Sequence, residues 1–155
     1  MYLSPRKLKW LLNFYPPYLG AGIKVDTIDP NWRSMQVRMK LRWYNRNAVG
    51  SHFGGSLYSM VDPHLMLMLM QLLGRDYIVW DKSAHIEYIS AVKTEVTADI
   101  QITDAQLGEI KKATENGEKF LPKYQVLITD TSGELVARVE KELYIRKKAP
   151  LERKG

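Results

Sequence analysis

The chain has 155 residues, 45% of them apolar and 26% charged, the make-up of one globular domain with a core of its own. Cysteine is absent, which excludes disulfides, zinc–thiolate sites and cysteine nucleophiles and accords with a reducing, cytoplasmic compartment. Twenty-three Lys and Arg against 17 Asp and Glu give a net charge of +6, favouring anionic partners such as nucleic acid, a membrane surface or a phosphorylated small molecule. That charge is not gathered in one tail, so composition does not choose among them.

From the N-terminus, Ser4-Pro5 is an N-cap followed by proline at the first helical position. Leu8, Leu11, Leu12 and Tyr15 recur at helical spacing, predicting a short amphipathic helix within residues 1–17 that is closed by Pro16-Pro17. Trp10 and Phe14 form a second apolar pair on its other side. With Arg6, Lys7 and Lys9 this helix has the make-up of a membrane-surface segment, but its shortness favours a cover over a core or pocket. The segment lacks a small-residue cleavage site, so no secretory leader is expected.

Residues 23–28 read as a strand, with Asp29-Pro30-Asn31 as its turn. A second strand is predicted over 32–44, where Met35, Val37, Met39, Leu41 and Trp43 alternate with Gln36, Arg38, Lys40 and Arg42. The basic stripe has the character of a solvated sheet face, without the motif or interleaved exposed aromatics of a nucleic-acid binder. The run 56–73 is helical, and two starts compete. Either Asp62-Pro63 supplies the N-cap and N1, or the helix begins after Gly55 and Pro63 kinks it at a cost of about 3 kcal/mol. Leu and Met fill positions 65–70 on all sides, as in a helix enclosed by a sheet, and the run is about half of a membrane span. Strands follow at 77–89 and 94–103. Residues 104–116 are helical with Asp104 as cap, and 120–129 with 135–145 form a hairpin. Residues 146–155 make a charged, frayed tail. The sum is an α+β fold, an antiparallel sheet around one buried helix with an extra N-terminal helix, spanning 1–155 as a single domain.

Polar chemistry concentrates at residues 47–62. Asn47, His52, Phe53, the pair Gly54-Gly55 and Asp62 surround the start of the apolar run. Adjacent glycines bring bare backbone N–H groups close to a ligand. A carboxylate on the turns that follow can act as base or nucleophile on what those groups hold. Asp62 also reads as a plain helix cap, although its spacing from the glycines tilts toward catalysis. His52 reads first as a loop histidine bonded to backbone. His64 and His85 are isolated, and no metal site is expected. The methionines are core first and acyl-tunnel wall second.

This order of elements, with Asn47, Gly54-Gly55 and Asp62 at these separations, resembles the hotdog fold. It is most similar to acyl-CoA thioesterases of the phenylacetate-pathway type, and more narrowly to an uncharacterised family of thioesterase-like hotdog proteins. The thioesterase pattern runs Asn, a short gap, His-Gly-Gly, then an acidic residue on the central helix. The resemblance therefore implies that the Gly54 N–H polarises the thioester carbonyl. It implies that Asp62 activates water or attacks, and that Asn47 orients water or substrate. His52, Phe53 and Gly55 would line the substrate site, and Asp81 and Ser83 lie near a polar position of the later strand, Ser83 being the candidate for substrate contact. It further implies an acyl-CoA thioester as substrate with no other cofactor, and a homodimer or dimer of dimers with the site across the interface. No nucleic acid and no stable membrane insertion are expected. The family's histidine is Phe53 here, with His52 one residue earlier and turned to the other side of an extended loop. His52-Phe53-Gly54-Gly55 also resembles the His-Phe-Pro-Gly motif of hotdog hydroxyacyl dehydratases, but their helical glutamate has no counterpart within 65–70.

Overall fold

The computed structural model describes residues 3–149. Helix α1 (Pro5–Asn13) starts as predicted, with the Ser4 side chain accepting from the Lys7 N–H and proline in its first turn. It buries Leu8 and Leu12. The prolines at 16 and 17, expected to terminate it, instead open a second helix, α2 (Pro16–Ala21). A proline at N1 has no N–H to lose and its φ is already helical, so the same residue that ends one helix begins the next. Gly22, at φ 75, stops α2.

Strands β1 (Ile23–Ile28) and β2 (Ser34–Met39) pair antiparallel. Met35, Val37 and Met39 face the core, as their alternation requires. The predicted strand to residue 44 ends at Met39. Buried Asn45 turns the chain there: its Oδ1 accepts from the Arg42 N–H, and its Nδ2 donates to the Ala21 and Lys40 carbonyls at 2.9 Å each.

The central apolar run takes neither predicted start alone. Helix α3 (Gly54–Ser59) begins at the glycines, breaks over 60–63, and α4 (His64–Leu73) resumes. Pro63 cannot donate to a carbonyl one turn back, which accounts for the break. Pro63 itself stands at the N-cap of α4 with no side-chain cap, so Asp62 does not cap this helix.

The remaining elements are β3 (Tyr77–Tyr88), β4 (Val96–Gln101), α5 (Asp104–Ala113), β5 (Lys119–Phe120), β6 (Lys123–Asp130) and β7 (Leu135–Lys147). The cap of α5 is Thr103, in a reciprocal box with Gln106, rather than Asp104, which pairs with Arg33 instead. Strand β7 takes in residues 146 and 147 of the predicted tail, and the Lys148 N–H bonds the Asp76 carbonyl at 2.7 Å. The rest of that prediction, 150–155, lies outside the described residues.

The sheet runs β1-β2-β4-β6-β7-β3, antiparallel throughout, with β5 added to β7. Leu57, Met60, Val61, Leu65, Met68 and Leu69 from α3 and α4 form one buried cluster with Val37, Ile100, Val126, Val139 and Leu143 of the sheet. This is a hotdog arrangement, the apolar helix enclosed by the antiparallel sheet. Strand β3 closes one end of the sheet order and has β7 as its strand neighbour. Among the described residues no helix is long and apolar enough to cross a membrane.

Candidate active site

The loop before α3 is folded by one side chain. Asn47 accepts from the Val49 and Ser51 N–H groups through Oδ1, at 3.1 and 3.0 Å. Its Nδ2 donates to Ser51 Oγ at 2.8 Å and to the His52 carbonyl at 3.1 Å. Both hydrogens and both lone pairs of the amide are thereby engaged within the loop. Asn47 thus sets the path of the chain into Gly54.

The next two side chains part, as an extended segment requires. His52 is 4% exposed, with Nε2 2.7 Å from the Thr94 carbonyl. A carbonyl only accepts, so Nε2 carries a proton, while Nδ1 is buried without a partner among the described residues. Phe53 is 56% exposed and stands at the N-cap position of α3, with no side-chain capping bond. Aromatic rings lie close to both glycines. A Cβ on Gly54 would stand 2.9 Å from the Tyr88 ring, and one on Gly55 2.5 Å from the Phe53 ring. As the first residues of α3, Gly54 and Gly55 hold N–H groups for which the helix has no acceptor. Asn47, His52, Gly54, Leu57, Tyr88 and Ser90 line a cavity of about 380 Å³.

Asp62 lies elsewhere, at the break between α3 and α4. The Tyr58 hydroxyl donates to its Oδ1 at 2.5 Å, and Lys141 Nζ donates to the same oxygen at 3.0 Å and to the Asp62 carbonyl. Lys141 is 0% exposed, whereas the Asp62 side chain remains 43% exposed. Nζ also sits 2.8 Å from Asp81 Oδ1, a charge contact off the angle of a hydrogen bond, and 5.8 Å from the centre of the Tyr58 ring. One buried ammonium thus serves two carboxylates, one from the helix break and one from β3. Burial pushes the Asp81 carboxyl above its ordinary range, with Lys141 opposing. Burial likewise pushes the Tyr58 hydroxyl up, and its bond to Asp62 adds to this.

The family model for a domain of unknown function (DUF4442) matches residues 5–145. The chain belongs to the DUF4442 family. No curated protein matches it in sequence. Among solved structures, this DUF4442 chain is similar to a Pseudomonas aeruginosa protein of unknown function named a probable thioesterase, at 18% identity and a TM-score of 0.79, with 95% of this chain and 98% of that one covered. It is similar to a thioesterase from Haemophilus influenzae, at 14% identity and a TM-score of 0.68, covering all of this chain and 97% of the other. A Chlorobaculum tepidum protein of unknown function aligns at 17% identity and 0.72, over 95% and 98%. At these identities the likeness establishes the shared fold.

Within one DUF4442 chain the candidates fall into three places. Asn47, His52 and Gly54 share the cavity, and Gly55 and Phe53 sit at its helical rim. Asp62 joins Tyr58, Lys141 and Asp81. Ser83 lines a small surface depression with Lys123, Glu140, Lys141 and Glu142, while Asp81 is the β3 candidate whose carboxylate lies 2.8 Å from Lys141 Nζ. Lys141 was not foreseen, although the sequence marks it: Val139, Leu143 and Ile145 are inward residues of β7, and a lysine occupies the alternate position between them. Tyr88 and Tyr58 show no such signal, because aromatics on a strand and a helix read as ordinary packing.

Proposed function

We propose that the chain is an acyl-CoA thioester hydrolase. The observation that carries the reading is Asp62, a half-exposed carboxylate at a break in the central helix that caps nothing and is held by Tyr58 and a buried lysine. In the reaction, water adds to the thioester carbonyl, the C–S bond breaks, and carboxylate and thiol leave. Asp62 takes the proton of the attacking water or attacks itself. The Gly54 N–H donates to the developing oxyanion, a contact worth roughly 3 kcal/mol in such sites. Thiolate leaves readily, so the absence of a histidine at position 53 is tolerable chemically. Asn47 acts through the loop that presents Gly54, and Lys141 positions Asp62. In a single chain Asp62 does not line the glycine cavity. The complete site therefore forms in a homodimer, Asp62 of one protomer meeting the glycine loop of its partner, and the outer side of β3 is available for such pairing. The lack of cysteine supports a cytoplasmic setting.

One observation favours a second reading, a non-catalytic acyl-CoA or fatty-acyl binder: the exposed Phe53 stands where the thioesterases carry histidine. Thiol release from short, medium, long and aromatic acyl-CoAs separates the two. Hydrolysis lost by at least about a hundredfold in a folded Asp62→Ala chain supports the hydrolase. Acyl-CoA bound without turnover on any substrate selects the binder.

A further inference from the structure

We propose that the face built by α1, α2 and the turn at 40–44 docks on an anionic lipid bilayer. Helix α1 turns Leu8 and Leu12 into the core yet presents a second apolar side outward. Trp10 is 65% exposed and Phe14 59%, their rings 4.7 Å apart, with Leu11 beside them. Leu19 of α2, Trp43 and Tyr44 are exposed as well. Phe14 joins two open depressions. One holds Trp10 and Leu11 with Arg6 and Lys7, and the other, of about 600 Å³, holds Leu19 and Tyr44 with Lys24, Lys40 and Arg42. Scattered apolar residues are ordinary on a surface, but a joined patch of protruding aromatics and leucine is an interaction site.

Charge identifies the occupant. Residues 1–61 carry nine Lys and Arg against two acidic residues, Asp26 and Asp29, whereas residues 62–155 carry fourteen against fifteen. The sheet order keeps this excess together, since β1 and β2 form one end of the sheet with α1 and α2 beside β1. Four cations and no carboxylate line the depression of about 600 Å³. Arg38 is paired with Asp26 and Glu95, and Lys40 lies 3.8 Å from Glu95, but Lys24 and Arg42 have no ion-pair partner among the described residues. Cations ringing an outward apolar helix face match a bilayer, where Trp, Phe and Leu enter the headgroup boundary and Lys and Arg meet lipid phosphates. A soluble phosphorylated ligand would use the cations but leave the protruding aromatics unused.

This proposal is independent of the hydrolase reading. Its test is co-sedimentation of the full chain with phosphatidylcholine vesicles, with and without phosphatidylglycerol. Binding is expected only to the anionic vesicles and weakens with salt. Trp10→Ala with Phe14→Ala, and separately Lys24→Glu with Arg42→Glu, should each lower it about tenfold, while melting stays unchanged. These side chains are on the surface, so both variants fold. Absence of binding, equal binding to neutral vesicles, or variants that bind like the parent would overturn it. So would a change in molar mass by light scattering in the aromatic variant, which would show that a second copy covers this face.

Discussion

Lys141 is the residue on which the Asp62 group depends. An ammonium removed wholly from water loses its hydration, and here two carboxylates, one backbone carbonyl and a tyrosine ring replace it. Lys141→Met removes the cation and leaves two partly exposed carboxylates, Asp62 and Asp81, without their shared counter-charge. We expect a loss of about 3 kcal/mol in urea denaturation, partly recovered when Asp81→Asn is added, because the second change withdraws the carboxylate already strained by burial. Little of this was legible beforehand. The inward position of Lys141 follows from strand alternation, but its choice of Asp62 depends on a helix break whose place local sequence left open. Asn47 and the glycines stood out as a motif. What the amide does there, filling all its bonds within its own loop, follows only once that loop is closed.

Among elements, α3 and β3 meet at the cavity through a side chain, since the Tyr88 ring at the end of β3 lies where a Cβ on Gly54 would stand. Gly54→Ala should cost less than about 1 kcal/mol, because the exposed Tyr88 ring can swing away, and Tyr88→Ala in the same chain should remove what penalty there is. Thermal melts of the four chains in the cycle measure it; a penalty unchanged by Tyr88→Ala would place the strain elsewhere. The strands were the more legible elements, because period-two alternation marks a half-buried strand: β1 has the predicted limits and β3 ends one residue early, whereas β2 and β4 are shorter than predicted. Helix limits were not. Prolines at 16, 17 and 63 mark boundaries without saying which side of the boundary is helical, and a proline can close one helix or open another. The end of β2 depends on Asn45 reaching the Ala21 carbonyl, a long-range bond that no local pattern announces.

At the scale of the whole molecule, the element order led to an antiparallel sheet around one buried helix, and the resemblance carried by Asn47, Gly54-Gly55 and Asp62 led to the hotdog fold, which the structure and similar solved structures share. The fold also carries a pH signature. His64 is fully buried on α4, its Nε2 3.0 Å from the Tyr18 hydroxyl, and burial holds its pKa down at about 4. The unfolded chain binds this proton near the ordinary histidine value and the folded chain does not until about pH 4. Stability from this group is therefore complete at neutral pH and falls as pH drops from about 6.5 to about 4, by on the order of 3 kcal/mol. Asp81, shifted upward, acts in the opposite sense, so the measurement is a difference: His64→Gln should flatten the parent's acid slope in denaturation series across that window. An unaltered slope would assign the acid sensitivity to other groups.

The uneven placement of cations has one more consequence. With nine basic and two acidic residues in its first 61 positions and near balance in the remainder, the molecule is an electric dipole laid across the strands of its own sheet. In any external field it turns before it touches, with the β1 end leading and the β3 end trailing. Its encounters with a charged surface are thus oriented in advance, and the open edge of β3 reaches solution on the side facing away.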